Sequence, residues 1–230
     1  MNQAHFAIAK RRRVAIVAGA TGLVGRALVD ALLADSTVGA VHVLVRSERP
    51  EFGKQSGLSQ HVVNYDASIG GLPQVDDAFC CLGTTIKTAG SQQAFRAVDF
   101  DAALAFARAA RRFGATRLGV VSALGASETS SVFYNRVKGE LERAVTTLGY
   151  DSVVLARPSL LLGDRAALGQ PVRSGERVAA ALTAPLGWLM PRSVRPIAAA
   201  TVALGLLRAI QQCGRGVYTV PSHELQVLGS

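Results

Sequence analysis

The chain has 230 residues, 49% hydrophobic and 18% charged; so apolar a composition excludes intrinsic disorder, and the length suffices for the core of one large domain or at most two small ones. Lys and Arg outnumber Asp and Glu by 25 to 16, a net charge of +9, which calls for nucleic acid, a membrane surface or a small anionic ligand. Three cysteines and four scattered histidines exclude a disulfide framework and ordinary zinc spacing, so no metal and a reducing compartment are expected.

Residues 1–13 read as a basic leader carrying Lys10, Arg11, Arg12 and Arg13. The apolar run after it is too short for a secretory signal. The expectation is a flexible leader on a cytoplasmic protein, with a transit peptide as the alternative. No apolar run reaches the ~18 residues of a membrane span, so no transmembrane segment is expected.

Residues 14–18 form a β-leaning apolar run that stops at Gly19. Residues 23–33 have helical spacing, with Leu28, Leu32 and Leu33 on one face. Residues 40–45 read as a second strand ended by Arg46, the Gly/Ser/Pro/Gln-rich stretch 47–60 as loop, and 61–65 as a third strand. Residues 77–82 give a fourth strand, closed by Gly83-Thr84-Thr85. Residues 92–113 predict a long helix ended by Gly114, where a C-cap glycine belongs. Residues 117–122 are a fifth strand, 132–148 a helix ending at Gly149, and 152–156 a sixth strand stopped by Arg157-Pro158. Helical stretches at 176–183 and 196–211 and a last strand at 217–220 complete the chain.

Strands that are apolar runs, alternating with helices, predict a doubly wound α/β fold: a parallel sheet covered on both faces. A single domain is expected over 14–230, with 159–230 contributing a small substrate cap.

Between the first strand and first helix lies Gly19-Ala20-Thr21-Gly22-Leu23-Val24-Gly25. In that place one glycine makes the tight turn, one admits a pyrophosphate to the backbone, and one lets helix and strand pack closely, the pattern of a dinucleotide-binding Rossmann domain. The free N–H groups of the helix N-terminus would hold the phosphates. The second strand ends in Arg46 rather than an acid, which suits the 2′-phosphate of NADP over the bare ribose of NAD. Arg26 and Arg49 are candidate helpers. Asp66, after the third strand, is a candidate for the adenine amino group or a turn cap.

Tyr134 and Lys138 stand four apart in a predicted helix and share a face. A nearby ammonium makes a phenol a usable acid or base. Ser122 ends the fifth strand, at the edge where ligands of open sheets collect, and its hydroxyl suits a substrate carbonyl oxygen. Arg173, Arg177, Arg192 and Arg195 are candidates for an anionic substrate, or simply solvated charges.

Together these residues resemble the short-chain dehydrogenase/reductase superfamily. The finer match is carried by Cys81-Leu82-Gly83-Thr84-Thr85, Phe95-Arg96-Ala97-Val98-Asp99, Val137-Lys138-Gly139-Glu140, and Arg157-Pro158 through Leu162-Gly163-Asp164-Arg165. It resembles the atypical branch of the Tat-interacting-protein oxidoreductases and their bacterial relatives, often labelled nucleoside-diphosphate-sugar epimerases. The similarity spans nearly the whole chain from Val14.

This resemblance implies a Rossmann domain binding NADP(H), with Tyr134 as acid/base, Lys138 holding the nicotinamide ribose and Ser122 orienting substrate. It implies that Leu82, Gly83 and Thr84 line the cofactor, with Pro158 and Ser159 near the nicotinamide. It also admits a homodimer through the two long helices, and regulatory members whose substrate is obscure. The stretch after Pro158 is short for a nucleotide-sugar domain, so the expected reaction is hydride transfer to or from a small carbonyl or alcohol. The alternative is an NADP(H)-responsive binding module. No nucleic-acid partner is expected, because no recognition motif is evident and only 6% aromatic residues leave little for base stacking.

Overall fold

The computed structural model describes residues 11–53, 55–65, 69–162, 191 and 193–230. Its centre is a seven-stranded sheet of order β3-β2-β1-β4-β5-β6-β9 in which every pair is parallel. The strands are β1 (Arg13–Ala18), β2 (Val38–Val45), β3 (Leu58–Val62), β4 (Asp77–Cys80), β5 (Arg117–Val121), β6 (Ser152–Arg157) and β9 (Gly216–Pro221); a separate pair is β7 (Leu161–Leu162) with β8 (Ile197–Ala198). Parallel neighbours require crossovers, and helices supply them on both faces.

Alternate residues of β1 point to opposite faces, so both must be covered. Ala15 and Val17 pack with Leu28 and Leu32 of α1 (Leu23–Ala34) and with Val202, Leu206 and Ile210 of α6 (Ala199–Gln212). Ile16 and Ala18 face the other layer, with Phe106 and Ala110 of α4 (Ala103–Arg112) and Leu141 and Val145 of α5 (Phe133–Thr146). The apolar strand runs in the sequence are this two-sided burial.

The expected loop 47–60 and strand 61–65 differ from what forms. β3 begins at Leu58, because Leu58 to Val62 register against Val41 to Val45, and Pro50–Phe52 make a 3₁₀ turn that buries Phe52. The single helix expected over 92–113 is α3 (Gln92–Arg96), a π-helical turn Ala97–Ala102, and α4. Helix α6 starts at Ala199, later than 196, because Ile197 and Ala198 pair with Leu161 and Leu162. The short helices α2 (Ile86–Ala89) and α7 (Ser222–Leu228) were not expected. From Ala199 on, α6 and β9 complete the layers of the main sheet. The expected helix 176–183 and most of the cap lie outside the described residues.

Candidate functional site

The sheet order reverses at β1, whose neighbours are β2 and β4. In an open α/β sheet the crevice outside the carboxyl ends at such a point is where ligands bind. The turns after β1 and β4 meet there. Gly19 has φ +81° and its missing Cβ would stand 2.5 Å from the Cys81 carbonyl carbon. Gly25 packs α1 onto the same turn, since a Cβ there would lie 2.1 Å from the Gly19 oxygen. Neither position tolerates a side chain.

Helix α1 is capped by Gly22 with no side-chain hydrogen bond and has no acid in its first turn. Its leading N–H groups and positive dipole end are therefore available to phosphate. Thr21 and Leu23 are half-buried at this turn and Val24 is buried. This cradle fits a dinucleotide by its own geometry: a turn whose glycines stand at close backbone approaches, opening onto a helix N-terminus without a side-chain cap.

Arg46 follows β2, is exposed, and makes no ion pair with a described residue. Arg26 is engaged elsewhere, its Nη2 3.1 Å from Glu51 Oε1 and its guanidinium 5.3 Å from the Phe52 ring centre. Glu51 in the unexpected 3₁₀ turn thus gives Arg26, a candidate phosphate helper, an ion-pair partner within the chain. Arg49 is exposed and uses its backbone N–H on Gln60. Asp66 lies outside the described residues, as do Arg173, Arg177 and Arg192.

Residues 82–84 follow β4. Thr84 N–H donates to Asp99 Oδ2 at 2.8 Å. Asp99 Oδ1 lies 2.8 Å from the Lys138 ammonium, and the side chains are 0% and 3% exposed. Burial alone would push Lys138 down; Asp99, with Tyr134 and Cys80, reverses this and holds it above the usual lysine value. A Cβ on Gly83 would sit 3.7 Å from that ammonium, so the turn after β4 covers the buried pair.

Ser122 follows β5 and is buried, and its Oγ has no hydrogen-bond partner among the described residues. The loop beyond it reaches the first turn of α5: Ser127 N–H donates to the Asn135 carbonyl at 3.1 Å. Tyr134, in that turn, is half-buried with its ring 5.3 Å from Phe95. Charge interaction links Tyr134 to Lys138 one turn on. The described contacts join the Gly19–Gly25 turn to Cys81 and Leu82, and Gly83 to Asp99 and Lys138, with Tyr134 one turn before Lys138; Ser122 stands at the same carboxyl edge of the sheet, after β5.

Pro158 is buried and its carbonyl accepts from Leu124 N–H at 2.9 Å, tying the ends of β5 and β6. Ser159 is less free than expected. Its hydroxyl donates to the Arg195 carbonyl at 2.5 Å and accepts from Ser222 at 2.9 Å. Sequence reasoning gave Asp99 no role; an acid one helical turn after Phe95, on the apolar line of a helix, was the available signal.

A family model for NAD binding, described as Male sterility protein, matches residues 17–67. The protein FMP52, mitochondrial, of Eremothecium gossypii is 36% identical over 154 residues, 66% of this chain and 67% of the relative. HTATIP2 of Rattus norvegicus is 34% identical over 167 residues, 71% of this chain and 67% of the relative. The chain belongs to the atypical short-chain dehydrogenase/reductase family of FMP52 and HTATIP2.

The fold of this FMP52/HTATIP2 family member is also that of the Bordetella bronchiseptica enzyme WbmF, solved in complex with NAD+. The TM-score is 0.66 over 95% of this chain and 78% of that one, at 19% identity. The parallel seven-stranded sheet of this chain is the NAD(P)-binding Rossmann fold of the epimerase and oxidoreductase group. The expected cytoplasmic location is overturned, because the FMP52 relatives are named as mitochondrial proteins. The basic leader was read against a cytoplasmic background, although Arg-rich, acid-poor leaders are also the composition of mitochondrial transit peptides. No helix among the described residues is long and apolar enough to cross a membrane.

Proposed function

We propose that this FMP52/HTATIP2-family chain is an NADP(H)-dependent oxidoreductase acting on a small carbonyl or alcohol. The observation that carries the reading is the buried Ser122 hydroxyl at the carboxyl edge of the sheet, without a partner among the described residues. A buried hydroxyl without a partner is costly, and a substrate oxygen at the end of β5 would supply the missing bond.

Ser122 Oγ would then hold the substrate oxygen while the Tyr134 phenol gives it a proton in reduction or takes one in oxidation. Lys138 would hold the nicotinamide ribose, with Gly83 and Thr84 beside it. When bound, the nicotinamide supplies or accepts the hydride. The Gly19–Gly25 turn would seat the pyrophosphate, and Arg46 the 2′-phosphate that favours NADP over NAD.

Tyr134→Phe tests this. Carbonyl reduction should fall by at least about 100-fold while NADPH affinity is unchanged; full activity would sink the assignment. Tight NADPH binding with no turnover over a broad carbonyl and alcohol panel would favour the regulatory module instead. We further infer a mitochondrial location, guided by the FMP52 relatives, through residues 1–13; a fluorescent fusion lacking them should lose it. A homodimer through α4 and α5 belongs to the same proposal, and light scattering checks it.

A further inference from the structure

Asp99 takes no part in the chemistry proposed above, yet it is 0% exposed. It stands in the π-helical turn Ala97–Ala102, four residues after Phe95 and four before Ala103, both also buried. π turns are rare and concentrate at functional sites. The two Asp99 oxygens are divided between the Lys138 ammonium and the Thr84 N–H, each at 2.8 Å. Neither oxygen is used to cap its own helix. The desolvation of a buried ion pair offsets most of its attraction, so folding alone gives little reason for the pair.

We propose that Asp99 is a positioning residue of this site: it clamps the Lys138 ammonium to the backbone of the turn after β4. The inference rests on reading Lys138 as a cofactor-holding group. One carboxylate joins three elements that must agree in register, namely the π turn, the loop of residues 82–84 and α5. The clamp lies immediately below that loop, since a Cβ on Gly83 would stand 3.5 Å from Asp99 Oδ1 and 3.7 Å from Lys138 Nζ. The other titratable groups acting on Lys138 are Tyr134, Cys80 and Cys81. Burial pushes Cys81 up, and pushes Cys80 up to about 11, so both remain neutral thiols through pH 9. Asp99 is thus the carboxylate that keeps a desolvated ammonium charged and in place.

The test is amine acetylation followed by peptide mass spectrometry, with NADPH binding measured beside it. In the intact chain Lys138 should resist acetylation from pH 7 to 9 while exposed Lys87 reacts. In Asp99→Asn, checked for folding by circular dichroism, Lys138 should react at least about tenfold faster at pH 9, because an unpaired buried ammonium readily loses its proton. NADPH affinity in that variant should fall about tenfold between pH 7 and 9. The double variant Asp99→Asn/Lys138→Met should bind weakly but without that pH dependence, which a merely structural role for Asp99 does not predict.

Equal acetylation of Lys138 with and without the carboxylate would overturn the proposal. If Asp99→Asn does not fold, the pH profile of the intact chain decides: a Lys138 acetylation rate that still rises from about pH 9 to about 11 supports the clamp, and a rate already level by about pH 9 overturns it. Failure of the intact chain to bind NADPH would defeat the functional reading, whereas the acetylation contrast would still decide the role of Asp99.

Discussion

The two ends of the sheet each bury a carboxylate, and the two are used differently. At the amino ends Asp77 lies between two guanidinium forks. Arg13 reaches it at 2.6 Å through both Nε and Nη2, and Arg117 at 2.6 and 2.8 Å. Burial would raise Asp77, but the two arginines outweigh it and hold the carboxyl below its usual value. Every oxygen is taken, and the cluster ties β1, β4 and β5 together. At the carboxyl ends Asp99 has an ion pair to Lys138 at Oδ1 and a hydrogen bond from Thr84 N–H at Oδ2, but the groups around it are less fully partnered. Ser122 Oγ has no partner among the described residues, Gly83 is exposed above the ion pair, and α1 begins without a side-chain cap. Polar groups that satisfy one another hold strands together; polar groups left wanting mark where something else binds.

That contrast can be broken by substitution. The largest effect belongs to the amino end: Asp77→Ala leaves two arginines facing each other and should cost about 3 kcal/mol of stability, read by urea unfolding. NADPH affinity of the folded fraction should not change. Next comes Arg46→Ala, expected to raise the Kd for NADPH about tenfold, roughly 1.4 kcal/mol, with NADH affinity and stability unaltered. Equal losses for both dinucleotides would remove the role given to Arg46. Smaller still is Ser122→Ala. Deleting an unsatisfied buried hydroxyl should leave stability level or raise it by up to about 1 kcal/mol, while turnover is lost. Clear destabilisation would mean that Ser122 belongs with Asp77 as a structural group.

The difference between the two ends also explains what could be read without a structure. The glycine turn was legible because Gly19 and Gly25 answer to backbone geometry alone, at short range. Tyr134 and Lys138 were legible because helical spacing puts them on one face. The Arg13–Asp77–Arg117 cluster was not, because its members are 64 and 40 residues apart and meet only once β1, β4 and β5 are adjacent. Asp99 was hidden for a related reason, since its partners Thr84 and Lys138 come from elements on either side of its own. The pairing of Arg26 with Glu51 was hidden because Glu51 sits in a 3₁₀ turn that the Gly/Ser/Pro-rich composition concealed. The shift of β3 to Leu58 likewise depended on register with β2, which no local pattern specifies.

Acid provides the mildest probe, and it separates the amino end from a third polar pair. On β2 and β3, His42 Nδ1 and His61 Nε2 lie 3.0 Å apart. Burial lowers both, and the neighbouring His61 lowers His42 further. An unfolded chain protonates these rings near pH 6.5, before the folded chain does. Their contribution is therefore complete above about pH 6.5 and is lost as pH falls through the lowered folded values. Asp77 has the same sign at a lower window: its stability is present above the unfolded carboxyl value of about 4 and disappears as pH falls through the depressed folded one. Urea midpoints measured from pH 8 to 3 should thus decline in two stages, a shallow one beginning near pH 6.5 and a steeper one below about pH 4. His61→Phe should flatten the first stage and leave the second, and Asp77→Asn should do the reverse. A first stage that survives His61→Phe would have to arise elsewhere, and the carboxyl-end site would become the place to look for it.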